Sequence, residues 1–421
     1  MLPLPIRALA ALSMGIWGKM MQTGQQSRVA RRVVVYIPGF DPFPPRRYRE
    51  LYRKEGAAQA RLSGHELALS ADGAGWRVRA RIEGTEVETR FEVLVWHDLV
   101  QAAMPDGIAA TYGQLLRTAW VYFGSGAVWP LLRLRKGPLV AAFYPVGMLL
   151  GQLALALLAV WLVWDALAIW LPGWLALVPG LGAGWGLLRL FKRWDGKVFA
   201  HYLMHDFAYG AALRGAYAPD LEARLSEFGA RIRAAMAEGV DEVLVVGHSS
   251  GAHLGVSVLA DLIRQGLPEG PQLSFLTLGQ AVPMVSFLPA ARRLRADLAL
   301  MAGQGRIPWV DVSAPGDGCT FALCDPVAVT GVAPDGARWP LVISAAFSQT
   351  LSAQSQAALK WRYFRIHFQY LCAFDALPDV PDVYDYFRIT AGPLTLWDRM
   401  GGRAPSKSRI VTPVSRYRDM A

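Results

Sequence analysis

Residues 241–266, DEVLVVGHSSGAHLGVSVLADLIRQG, decide how this chain is read. The aliphatic run Val243–Val246 has the length and composition of a buried strand. Gly247-His248-Ser249-Ser250-Gly251 follows, and then Leu254, Val256, Leu259 and Leu262 mark a helix with an apolar face. A serine between a buried strand and a helix stands at the tip of a sharp turn, where its hydroxyl is offered to a ligand. Gly247 and Gly251 remove side chains where that turn is strained and where the helix must pack close to neighbouring strands. The five-residue pattern is weak alone, since short glycine–serine motifs arise by chance. Its flanks carry the weight.

A serine hydroxyl is a poor nucleophile until a base takes its proton, and the base needs an acid to orient it. The chain has seven histidines. His248 lies inside the turn with its side chain diverging from Ser249, and His253 sits on the helix running away from it. His65, His97, His201 and His205 precede Ser249, whereas serine hydrolases built on this elbow order serine, acid, histidine along the chain. His367, in RYFRIHFQYL, remains as the candidate base. WVDVSAPGDGCTFALCDPV offers three acids. Asp311 alternates within a strand, Asp317 follows that strand in a loop, and Asp325 before Pro326 has the form of a helix cap. Asp317 is the leading candidate and Asp325 the alternative. Developing oxyanion charge needs preorganised donors. The backbone N–H groups of Ser250 and of Phe40, in the early YIPGF segment, are the candidates, with Asp41 as a turn residue.

With PGF after an early strand, GHSSG at the elbow, then Asp317 and His367 in order, the chain resembles the α/β-hydrolase superfamily of esterases, lipases and thioesterases. The resemblance covers roughly residues 31–130 and 200–390. It implies a mostly parallel sheet flanked by helices and acyl transfer from ester to water. No cofactor or metal is called for. The HYLMH pair, His201 and His205, has a spacing that can bind zinc but lacks the accompanying glutamate and a third ligand.

One segment departs from that family's pattern. No charged residue occurs over the 27 positions Pro138–Trp164, nor over the 23 positions Ala166–Leu188. About 20 apolar residues span a bilayer core. Asp165, Pro172 and Gly173 suit a turn between antiparallel helices, while Pro179 and LGAGWG weaken the second span. Arg133, Arg135 and Lys136 precede the segment; Arg189, Lys192, Arg193 and Lys197 follow it. Basic flanks at both ends predict an inserted two-helix transmembrane hairpin entered and left from the cytoplasmic side, with a monotopic hairpin dipping into one leaflet as the alternative and a buried helix pair of a soluble core as the competing reading.

The expected organisation is an N-terminal apolar segment (1–30), a hydrolase domain in two parts (31–137 and 192–399), the hairpin (138–191) and a basic, mobile C-terminal tail (400–421). Composition agrees with membrane attachment: 53% hydrophobic against 18% charged residues, where an average soluble protein carries roughly 25% charged. The net charge of +10 lies beside the hairpin and along helices, with no nucleic-acid-binding module, so an anionic membrane surface is the expected partner. Three cysteines without CxxC spacing provide no disulfide framework. The expected function is a membrane-attached serine hydrolase acting on an acyl ester of a lipid or other apolar substrate. The competing expectation is a catalytically silent membrane scaffold on the same fold.

Overall fold

A computed structural model describes residues 28–376 and 383–420. The N-terminal apolar segment therefore lies almost wholly outside the described residues. Eight strands form one sheet: β1 (Arg31–Ile37), β2 (Glu66–Asp72), β3 (Gly75–Ile82), β4 (Thr85–Val93), β5 (Glu242–His248), β6 (Gln272–Leu278), β7 (Trp309–Ser313) and β8 (Leu341–Ser344). Their order is β2-β3-β4-β1-β5-β6-β7-β8.

The sheet is mixed, where the sequence suggested a mostly parallel one. β4, β1, β5, β6, β7 and β8 run parallel to their neighbours, but β2, β3 and β4 form an antiparallel meander. Short turns make the meander. Glu83 and Gly84 both have positive φ (55° and 73°), the backbone of a tight two-residue hairpin turn. β2 itself, ELALSAD, escaped the sequence reading because it is a half-exposed strand with no continuous apolar run.

The two sheet centres differ from this edge in a way the residues explain. β1 and β5 are buried along nearly their whole length. Their alternate side chains feed two cores: Val33, Val35, Val243 and Val245 face one, and Val34, Tyr36, Leu244 and Val246 the other. Helices cover both faces, as near-continuous aliphatic strands require. Those used below are α1 (Arg46–Ser63), α2 (Ile108–Gly124), α3 (Lys136–Ala168), α4 (Gly173–Arg193), α5 (Ala200–Ala211), α6 (Pro219–Met236), α7 (Gly251–Arg264), α8 (Arg292–Gly303), α9 (Pro326–Thr330) and α10 (Tyr363–His367). α6, α7 and α8 pack on the first core.

α3 and α4 are long and apolar enough to cross a membrane, and most of their residues are not buried by the rest of the described chain. They form an antiparallel pair whose turn, Ile169–Pro172, comes four residues after Asp165, which stays within α3. The indole of Trp164 closes the turn by donating to the Gly173 carbonyl at 2.9 Å. Of the glycines read as weakening the second span, Gly184 lies on its contact face together with Gly180, while Gly182 and Gly186 face open space. A Cβ on Gly180 would come within 2.8 Å of the Val160 carbonyl, and one on Gly184 within 2.6 Å of the Val160 side chain and 3.0 Å of the Ala156 carbonyl. Small residues four apart let helix backbones approach, as membrane helix pairs do.

The C-terminal segment is not a loose tail. Ser406 N–H donates to Val342, Ile410 N–H to Leu323 and Val414 N–H to Val329. The buried Arg295 guanidinium donates to the Asp419 carboxylate at 2.8 Å. Backbone hydrogen bonds and one buried charge strap this polar stretch to the domain, features that composition does not reveal.

Candidate active site

Ser249 follows β5 directly and has φ of 56°. A non-glycine residue held in the left-handed region costs on the order of 1–3 kcal/mol and persists only where its surroundings enforce it. The enforcement is visible on three sides. Ser249 N–H donates to the Leu278 carbonyl at the end of β6, at 2.9 Å. A Cβ on Gly247 would sit 2.7 Å from the Gly251 carbonyl, and one on Gly39 would sit 2.9 Å from Ser249 Cβ and 3.3 Å from its Oγ. At Gly251 a Cβ would overlap the Ile37 carbonyl. The elbow and the loop after β1 therefore interlock with no room for side chains.

The same loop carries Phe40. Three contacts brace it: Trp96 Nε1 donates to the Pro38 carbonyl at 3.0 Å, the Tyr202 hydroxyl donates to the Phe40 carbonyl, and the Asp41 carboxylate accepts from Tyr48 and from Phe43 N–H. Asp41 thus shapes the turn and ties it to α1. Neither Phe40 N–H nor Ser250 N–H makes a hydrogen bond among the described residues. Both residues line the second of the two cavities described below.

His367, at the end of α10, is buried and meets Asp317 from the loop after β7: Nδ1 and Oδ2 are 2.7 Å apart. The other Asp317 oxygen accepts from Cys319 N–H at 2.9 Å, and the Tyr370 hydroxyl adds a 3.0 Å bond to Oδ2. Tyr370 OH in turn accepts from Ala314 N–H. The carboxylate is held by three donors, which fixes its direction. The opposite imidazole nitrogen, Nε2, is buried without a hydrogen bond among the described residues. The ring lies over the β6 end, where a Cβ on Gly279 would be 3.2 Å from His367 Cε1. That is the residue after Leu278, whose carbonyl holds Ser249.

The other acids are elsewhere. Asp325 caps α9, accepting from Val327 and Ala328 N–H at 3.0 Å each, and burial pushes its carboxyl up to about 6. Asp311 points into the sheet interior, bonded at 2.6 Å to Thr277, and burial pushes it to about 7. Asp317 is therefore the acid brought to His367, and Asp325 and Asp311 are not.

His248 has a place that elimination by direction missed. Its ring lies 4.7 Å from that of His367, and its Nε2 donates to the His367 carbonyl at 2.9 Å. Burial, then the neighbouring His367, lower it to about 3, so it stays neutral. It supports the candidate base rather than replacing it. Tyr370 was equally unmarked, although its position three residues after His367 sets both on one turn.

No family model matches the chain, and no curated protein or solved structure matches it. The site is thus characterised by its geometry. Among the described residues, the one group with metal-binding spacing is Asp317, Cys319 and His367, and two of these are already joined by their hydrogen bond. Cys319 lines the cleft, but burial foremost, then Asp317 and Asp206, raise its thiol well above the ordinary value, which disfavours a thiolate. His201 and His205 bond through Nδ1 to Thr111 (3.3 Å) and Gln114 (2.6 Å), bolting α5 to α2.

Two cavities meet at this point. The first contains Ser249 and His367 and reaches Pro138 and Ala141 at the foot of α3. The second lies beyond Ser250 and is lined mainly by apolar and aromatic groups such as Trp96, Tyr209 and Leu221. Gly137, one residue into α3, packs on the acid loop, where its Cβ would be 3.1 Å from Gly318 Cα. The hairpin and the candidate site are structurally continuous.

Proposed function

We propose that this protein is a membrane-attached serine hydrolase of α/β-hydrolase type that cleaves acyl esters of lipids or similarly apolar alcohols. The observation that carries the reading is the His367–Asp317 pair, held at 2.7 Å with Nε2 left unbonded, in the wall of the cavity that Ser249 enters from a strained elbow. In this reading His367 Nε2 takes the Ser249 proton as Oγ attacks the ester carbonyl. Asp317 keeps the Nδ1–H tautomer and stabilises the imidazolium. Phe40 and Ser250 N–H groups receive the oxyanion, where each unengaged donor is worth about 3–4 kcal/mol in related chemistry. His367 then gives the proton to the leaving alcohol, and water, activated by the same base, releases the acid and restores Ser249.

The preference for an apolar substrate is supported by the contact of the first cavity with the hairpin foot and by the aromatic lining of the second. In our reading the hairpin crosses the membrane, with the catalytic domain on the side of the basic flanks, the cytoplasm. Labelling with a fluorophosphonate tests the catalytic proposal. Wild type is expected to react and Ser249→Ala not to react, with both folded by circular dichroism. A folded wild type inert to the probe would favour the scaffold reading on the same architecture.

A further inference from the structure

The two faces of α5 do different things. His201 and His205 form the rear face and are bonded to α2. Tyr202 and Asp206, on the same four-residue spacing, form the front face and line the first cavity. Tyr202 is accounted for, since it holds the Phe40 carbonyl. Asp206 is not. Its carboxyl makes no hydrogen bond and no ion pair among the described residues, though it borders both cavities. Phe40, Phe207, Ala281 and Met284 border both cavities with it, so every other shared side chain at that junction is apolar.

The Asp206 side chain is half-buried, and its carboxyl meets the cleft rather than a protein partner among the described residues. A site that keeps one there is arranged for a polar group of the ligand. Its position narrows the choice. Ser249 and His367 line one cavity and Ser250 the other, so an ester bound at Ser249 would send its acyl and alcohol portions into the two cavities, on either side of Asp206. Burial pushes the carboxyl up to about 7, against a smaller lowering by His367. As the one polar side chain among the apolar groups shared by both cavities, its carboxyl oxygens are placed to accept from a hydroxyl of the ligand.

Resting on the serine hydrolase reading, we infer that Asp206 is a specificity residue that hydrogen-bonds a hydroxyl lying within a few bonds of the scissile ester. The substrate class is then a hydroxylated ester with an apolar chain rather than a plain alkyl ester. The hydroxyl can belong to the alcohol, as in a partial ester of a polyol, or to the acyl chain, as in a 3-hydroxyacyl ester. The chemistry recognised is the same.

The test uses the full-length protein in detergent and three esters of equal chain length: propyl octanoate, 2,3-dihydroxypropyl octanoate and propyl 3-hydroxyoctanoate. kcat/KM is measured for wild type, Asp206→Leu and Asp206→Asn, and fluorophosphonate labelling is followed in parallel. Wild type is expected to prefer one hydroxylated ester over the plain one by at least about tenfold, and which ester wins identifies the source of the hydroxyl. Asp206→Leu should lose that preference while still labelling. Asp206→Asn, which keeps hydrogen-bonding capacity, should retain part of it. A labelled wild type with no preference, or a preference unchanged in Asp206→Leu, overturns the inference and leaves the hydrolase reading standing. Absence of labelling in wild type overturns the hydrolase reading itself.

Discussion

α7 and α3 are both apolar helices, yet they meet opposite surroundings. Residues 251–260 of α7 are all buried, between the sheet and its neighbours. α3 buries only Pro138, Pro145, Leu149, Gln152 and Ala156, and presents Leu150, Leu157, Trp161 and Leu162 outward at about half exposure. Both use glycine for close approach, Gly251 against Ile37 and, on the partner of α3, Gly184 against Ala156. What separates them is the other face. The other described residues leave this face of α3 uncovered, and the helix is long and apolar enough to cross a membrane. The length of the charge-free run already separates them, 27 residues in α3 against a 14-residue α7 that carries Asp261 and Arg264, and the surroundings agree with it.

The most complete test of that contrast is removal of the exposed part. The first turns of α3 form a wall of the cleft, so residues 153–188 should be replaced by a short Gly/Ser bridge. Flotation with vesicles is expected to recover wild type in the lipid fraction and the shortened protein in the soluble one. If carbonate washing strips intact wild type from membranes, α3 and α4 are not inserted and the contrast fails.

On the other side of the comparison, the elbow depends on contacts within the protein. Asp317→Asn is expected to lower kcat by about 10³–10⁴, by loss of the correct His367 tautomer. Asp325→Asn should change it by less than about tenfold, because that carboxylate caps α9. Steady-state ester hydrolysis gives both numbers, and the reverse ranking would move the acid to Asp325.

A buried titrating group probes the packed sheet without touching the hairpin. Asp311 has its carboxyl raised to about 7 by burial, partly opposed by the Thr277 hydrogen bond, whereas an unfolded aspartate titrates near about 3.9. The folded state therefore holds an extra proton between those values. Its stabilising contribution is full below about pH 4 and is lost as pH rises, at up to roughly 1.4 kcal/mol per unit until about pH 7. Asp311→Asn should remove that slope, gaining up to about 3 kcal/mol on wild type between pH 5 and pH 7. Urea midpoints at pH 5, 6, 7 and 8 would detect it, and parallel curves would exclude it. The smallest effect is expected at the hairpin seam. Gly184→Leu should separate α3 from α4 at a cost of about 1–3 kcal/mol, read as increased proteolysis in detergent. Gly186→Leu, facing open space, should have none.

Much of the site was legible because its signal is local. The elbow needs glycine at two positions beside one serine, and five residues announce it. The hairpin is announced by two uninterrupted apolar runs. Asp317 was separable from Asp311 and Asp325 by its place after a strand, but its bond to His367 spans 50 residues and rests on the fold. His248, Tyr370 and Asp206 carried no signal. Each is an ordinary residue whose significance comes from what packs beside it.

By itself, then, the sequence determined the backbone-level features: alternating buried strands and helices, the serine elbow, and the two charge-free helices. These follow from short-range sterics and from the burial of contiguous apolar residues. Tertiary structure alone decided that the sheet is mixed, that the C-terminal segment is strapped down, and that His201 and His205 bolt helices together. It also decided that Asp206 borders two cavities with no partner among the described residues. Those outcomes depend on hydrogen bonds and packing between residues tens to hundreds apart, and no local pattern encodes which of several equivalent side chains a distant partner will meet.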